Sequence, residues 1–141
     1  MNRDREACPL PDPTPIFVYG TLRPGDVGFI EAGLEGRVAL LGPACVRGTL
    51  YDLGDYPGAV LGGTGLIVGE LLRPLDDALL AILDGYELYD PVDEKRSEYL
   101  RLRVTIVDAN LSAWIYAYNH SLKGVPIIPG GDWRLFRLAS L

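Results

Sequence analysis

Apolar residues recur along this chain in short alternating runs, and glycine or proline closes almost every run. Ile16-Phe17-Val18-Tyr19 is the first. Apolar and aromatic residues of this kind favour a pleated, half-buried backbone, so a strand is expected here. It breaks at Gly20 and again at Pro24-Gly25. Without a Cβ, Gly20 permits a tight turn or the close approach of a ligand. A strand ending in such a turn can leave consecutive N–H groups aimed at one spot, a nest for a carboxylate or phosphate. A plain hairpin or crossover turn accounts for the same residues. The spacing matches neither a phosphate-binding loop with its lysine nor a dinucleotide fingerprint. Asp26 then predicts the cap of a short helix reaching Gly33, with Phe29, Ile30 and Leu34 turned inward.

The next stretch reads as strands with heavy punctuation. A strand is expected over 44–52, closed by Leu53-Gly54-Asp55, with a turn at Tyr56-Pro57-Gly58. Ala59-Val60-Leu61 is a short apolar piece, and 64–72 is a further strand carrying Leu66, Val68 and Glu70. Gly65 and Gly69 inside it predict close packing, a bulge or a barrel-like bend. The main helix is predicted over 74–87, with Asp76 as its N-cap and an apolar face of Leu79, Leu80, Ile82, Leu83 and Tyr86. Gly85 should stop it, which puts Glu87 at the helix exit between helix and sheet. A charged, solvated loop is expected over 90–98.

Alternation returns over 99–107, with Leu100, Leu102, Val104 and Ile106 on one face. Asp108-Ala109-Asn110-Leu111 is a turn, and 112–119 is the return strand. There Trp114, Tyr116 and Tyr118 share one face, and Ala113, Ile115 and Ala117 the other. The aromatic face suits core or pocket wall. His120 is a turn residue in this reading, and Trp133-Arg134-Leu135-Phe136 closes the chain.

Composition narrows the classes. At 141 residues the chain suits one domain, expected over 15–141 behind a proline-rich lead-in at 1–14. The many glycines and prolines point to short strands around a strongly curved sheet: an α+β fold, a small mixed-sheet barrel with one main packed helix. A net charge of -6 argues against nucleic acid and anionic membrane as partners. No apolar run is long enough to span a bilayer, and the first residues lack the order of a signal peptide. Two cysteines, Cys8 and Cys45, make no disulfide scaffold or metal motif, and one histidine makes no multi-histidine metal site. A reducing, cytoplasmic setting is therefore expected, with no metal and no cofactor. The oligomeric state is left open.

Phe17-Val18-Tyr19-Gly20-Thr21-Leu22-Arg23 resembles the opening motif of the gamma-glutamylcyclotransferase-like superfamily, in its small AIG2-like branch, which is similar to gamma-glutamylamine cyclotransferases. The resemblance extends through Tyr56-Pro57-Gly58, Leu83-Asp84-Gly85-Tyr86-Glu87, Tyr99-Leu100-Arg101, the 113–118 strand and Gly131-Asp132-Trp133. It implies a mixed barrel with a cavity, an opening loop that supplies backbone donors, and Glu87 as catalytic acid-base. The implied reaction is intramolecular acyl transfer on a gamma-glutamyl amine or related compound, releasing 5-oxoproline and the free amine. Tyr19, Gly20, Thr21, Leu22 and Tyr118 become candidate substrate-binding residues, with Arg23 and Arg101 at the rim. Asp84 reads as a helix-end acceptor. Two departures stand out: Leu88 follows Glu87 where relatives often carry glycine, and the 90–98 loop is long. The competing expectations are a non-catalytic metabolite-binding protein using the same cavity, and a partner-binding protein with a vestigial pocket.

Overall fold

A computed structural model describes residues 14–140; the lead-in before Thr14 lies outside the described residues. Five strands form one mixed sheet: β1 (Ile16–Val18), β2 (Val38–Asp52), β3 (Pro57–Pro74), β4 (Tyr99–Thr105) and β5 (Ser112–Tyr118). Their order is β2-β3-β1-β5-β4, with β1 antiparallel to β3 and parallel to β5. Among the described residues three α-helices join them: α1 (Val27–Glu31), α2 (Leu79–Tyr86) and α3 (Trp133–Ala139).

The α+β reading holds, whereas the closed barrel does not. β2 and β4 are the two edges of an open sheet. The 7 residues of β4 end at a turn and cannot accompany the 15 residues of β2. Isolated bonds cover the β2 edge instead of a ladder. Val107 N–H donates to the Cys45 carbonyl at 2.9 Å, and the 126–128 segment bridges to Leu50 and Asp52.

Several local expectations shift for identifiable reasons. The turn falls at 53–56, where Gly54 takes φ +104°, so Pro57 and Gly58 already belong to β3. β3 also runs on through 59–61 and 64–72 as one strand. It stays paired because the irregularity is absorbed at 62–65, between the Gly48–Leu61 and Arg47–Leu66 pairs. Asp76 does not cap α2. Its carboxylate accepts from Ala78 N–H at 2.9 Å and is gripped by the Arg37 guanidinium, so the helix starts at Leu79. Ile30 faces solvent while Phe29 and Leu34 are buried. Leu102 is also exposed, on the edge strand β4. Helix α3 was not legible: Asp132 caps it by accepting from Leu135 N–H, and Trp133 is buried at its start.

Both faces of the sheet are covered. Phe17 and Tyr19 join Val46, Leu50, Ile67 and Ile115 in one cluster, closed by Trp133. Ile16 and Val18 point the other way, to Leu79 and Leu83 of α2 and to Tyr99 and Tyr116. This is the period-two alternation of a strand between two layers. Gly69 makes the tight crossing with β1 possible. A Cβ there would collide with the Val18 carbonyl oxygen and stand 2.7 Å from the Phe17 ring. Gly85, by contrast, has open space around it.

These two glycines respond oppositely to alanine. Gly69→Ala overpacks the β1–β3 crossing and is expected to lose roughly 1–3 kcal/mol. Gly85→Ala adds helix propensity and is expected to gain roughly 0.5–1 kcal/mol. Urea midpoints at unchanged m-value check both signs.

Candidate active site

β1 runs out into the 19–25 loop and α2 runs out through Glu87, and both exits line one cavity of about 180 Å³. The loop is shaped by bonds that use its carbonyls: Arg23 N–H donates to Gly20 O at 3.1 Å and Phe29 N–H to Thr21 O at 3.0 Å. The N–H groups of Gly20, Thr21 and Leu22 find no hydrogen-bond partner among the described residues. Gly20 is required for close approach: a Cβ would stand 2.8 Å from the Pro57 ring.

Glu87 occupies the C-cap position of α2, its N–H bonded to Leu83 O at 2.9 Å. The stop comes from Leu88, not Gly85. Leu88 sits at φ +54°, with its N–H on Gly85 O and the Tyr89 N–H on Asp84 O. This is the paired-bond helix ending in which the left-handed residue is usually glycine. The Glu87 carboxylate makes no hydrogen bond or ion pair among the described residues. Its pKa is pushed up from 4.5 to about 8, chiefly by burial and then by the charge of Glu98. The negative end of the α2 dipole acts in the same direction.

Tyrosines build the remaining wall, and most of their hydroxyls are occupied. Tyr19 donates to Tyr116 O at 2.5 Å and accepts from Ala59 N–H at 3.2 Å. Tyr99 donates to Pro57 O at 2.8 Å, and Tyr116 to Asp84 Oδ1 at 2.7 Å. Burial raises the pKa of all three, so they stay neutral donors. The Tyr86 hydroxyl has no partner among the described residues.

Tyr19, Gly20, Thr21, Leu22 and Glu87 thus line one pocket. Three other candidates stand apart from it. Arg23 is turned away and buried, bonded to Glu70 at 3.0 Å and to Asp132 at 3.1 Å. Arg101 grips Asp84 at 2.9 Å and lies over the Trp114 ring, clamping α2 to β4. Tyr118 stands behind the wall, edge-to-face with Tyr99 at 5.4 Å. Asp84 is the acceptor expected of it.

The pocket also contains residues that sequence reasoning passed over. Glu98 lines it, although it closes the segment read as a solvated loop. Tyr56, Tyr86, Tyr99 and Leu88 line it as well. The signal for Glu98 was its place directly before an inward Tyr99, hidden by the surrounding charge run. Among the described residues no three His, Cys, Asp or Glu side chains group as a metal site, and no helix is long and apolar enough to cross a membrane.

The same architecture occurs in known proteins. The gamma-glutamylcyclotransferase family protein YtfP of Escherichia coli strain K12 is 36% identical over 121 residues, covering 84% of this chain and 94% of its own. The solution structure of the E. coli protein superposes with a TM-score of 0.61, covering 85% of this chain and 96% of that one. A crystal structure of an AIG2-like protein from Mus musculus shares the fold at TM-score 0.62 and 23% identity, over 80% of this chain and 84% of that one. The family model described as gamma-glutamyl cyclotransferase, AIG2-like, matches residues 16–135, from the first strand into α3, and the chain belongs to that family.

Proposed function

We propose that the protein is a gamma-glutamyl cyclotransferase in which Glu87 carries the proton. The observation behind this reading is the pairing of two unsatisfied features in one pocket: free amides at Gly20, Thr21 and Leu22, and a carboxylate with no partner among the described residues. The family's reaction asks for both. In a gamma-glutamyl amide, the substrate's own α-amine attacks its γ-carbonyl carbon. A C–N bond forms to close the lactam, and the C–N bond to the departing amine breaks. One proton leaves the attacking nitrogen and one must reach the departing nitrogen.

Glu87 accepts the first proton and returns it to the leaving amine. A carboxylate with a pKa near 8 suits both steps, because its proton affinity lies close to the working pH. The amide nest receives the substrate α-carboxylate or the oxyanion that develops at the γ-carbonyl. Neutral tyrosines around Glu87 keep the site of low polarity. Holding amine and carbonyl together removes the entropic cost of a bimolecular encounter. The products are 5-oxoproline and the free amine, and the atoms balance without water.

Glu87→Gln is expected to lower 5-oxoproline release by roughly 10²–10⁴-fold with the fold retained. Equal turnover in both proteins removes Glu87 from the chemistry. Saturable binding without turnover by the wild type favours a metabolite-binding protein instead. The base form starts the reaction, so kcat/KM should climb with pH to a midpoint near 8, the Glu87 value in the free protein. An activity profile flat from pH 6 to pH 9 contradicts this.

The same group makes stability depend on pH. Its folded pKa of about 8 lies above the ordinary 4.5. The neutral carboxyl is therefore tolerated below pH 4.5, and stability is lost as pH rises through 8. Glu87→Gln has nothing to titrate there. Its stability relative to wild type should rise across that window, by at most about 1.4 kcal/mol per pH unit, and level off beyond it. Urea titrations of both proteins at pH 4, 6 and 9 check the direction.

A further inference from the structure

The charged side chains of the pocket wall are Glu87 and Glu98; among the described residues no lysine or arginine lines it. During the proposed reaction two anionic groups of the substrate need donors there. The α-carboxylate is charged throughout. The γ-carbonyl oxygen becomes charged only while the tetrahedral intermediate lasts. A carboxylate has about four acceptor sites and would otherwise face only like charge, so the three amides of the nest fall to it. The oxyanion then needs a donor outside the nest.

Few hydroxyls on the wall are available for that. Tyr19, Tyr99 and Tyr116 already donate to Tyr116 O, Pro57 O and Asp84 Oδ1. Tyr56 reaches Glu98 at 3.4 Å. Thr21 and Tyr86 keep hydroxyls with no partner among the described residues, the Glu87 carboxylate included. Thr21 belongs to the nest, whereas Tyr86 ends α2 and directly precedes Glu87. Its ring packs against the cluster that contains Leu22, Phe29 and Leu83. Its hydroxyl lies against α1, where a Cβ on Gly28 would stand 2.7 Å from it and 2.7 Å from Thr21 Oγ1. The absent Gly28 side chain thus gives Tyr86 the room to bring its hydroxyl beside the nest.

We propose that Tyr86 is a second catalytic residue, whose hydroxyl donates to the oxyanion formed at the γ-carbonyl. The inference rests on the cyclotransferase reading and separates two tasks that reading leaves together: the nest holds the α-carboxylate, and Tyr86 the oxyanion. As the amine lone pair adds to the γ-carbon, the C=O π pair moves onto oxygen. The Tyr86 O–H bonds that oxygen without giving up its proton. The pair returns when the C–N bond to the departing amine breaks, and Glu87 supplies the proton to that nitrogen. A ring fixed by packing, with a hydroxyl that abandons no other bond, needs little reorganisation at that moment.

Tyr86→Phe removes one oxygen and keeps the ring. Because that hydroxyl bonds no group among the described residues, the thermal midpoint should stay at the wild-type value or rise. With a simple gamma-glutamyl alkylamide as substrate, kcat and the single-turnover rate of 5-oxoproline formation should fall about 10²-fold. KM should stay unchanged, since the lost bond exists only in the transition state. The pH midpoint of kcat/KM should not move, because Tyr86 leaves the Glu87 carboxylate alone.

A raised KM at unchanged kcat places Tyr86 on the bound carboxylate and overturns the assignment. A displaced pH midpoint makes it a positioning residue of Glu87 and overturns it too. So does a rate loss in Thr21→Val with none in Tyr86→Phe, which hands the oxyanion to the other free hydroxyl. Unchanged kinetics in Tyr86→Phe beside lost turnover in Glu87→Gln overturn the role of Tyr86 and leave the cyclotransferase reading standing. No 5-oxoproline from the wild type overturns both.

Discussion

A guanidinium withdrawn from water governs this structure. Arg23 is only 7% accessible, and burying a charge is costly unless partners surround it. Glu70 of β3 takes its Nε at 3.0 Å and Asp132, the cap of α3, takes another nitrogen at 3.1 Å. Arg134 extends the same network, bonded to Asp26 at 2.8 Å and to Pro24 O at 2.6 Å. The loop after β1 is thereby tied to the middle of the sheet and to the last helix. The Gly20, Thr21, Arg23 and Pro24 carbonyls and the arginine are committed to the protein, while the Gly20–Leu22 amides have no partner among the described residues.

A second clamp does the same for the opposite wall. Arg101 and Tyr116 both donate to Asp84, one turn before Glu87 on α2. The helix end is fixed to β4 and β5, and Glu87 follows from it. Among the described residues the three amides, the Glu87 carboxylate and the Tyr86 hydroxyl have no partner, and they share one cavity. Outside the pocket, Trp114 Nε1 is a buried side-chain atom that likewise lacks a partner among the described residues; a gathering of unpartnered polar groups in one cavity is the usual sign of a ligand site.

What the sequence conveyed depends on the range of the interaction. The alternation Ile16 to Tyr19 and the aromatic face of β5 are local patterns and appear as read, while of the apolar stripe of α2 Leu79 and Leu83 are buried and Ile82 is exposed. Glu87 at a helix exit was legible for the same reason. The open sheet was not, because closure depends on whether β4 is long enough to meet β2, a fact no single segment carries. Asp76 looked like a cap until Arg37, far away in sequence, claimed it. Arg23 and Arg101 looked like rim charges because their acceptors come from other elements. Glu98 was lost in a charge run whose other members have little to do with the pocket.

The left-handed turn at Leu88 limits how this pocket can vary. A side chain at φ +54° is strained by contact with its own backbone, and branching at Cβ makes the strain worse. Valine, isoleucine and threonine are therefore excluded from the position beside the proton carrier on conformational grounds alone. Glycine and asparagine enter freely, and leucine, which does not branch at Cβ, is tolerated. The pocket wall varies more freely at Tyr56 and Glu98, neither of which has a positive φ, while residue 88 keeps the chain turning.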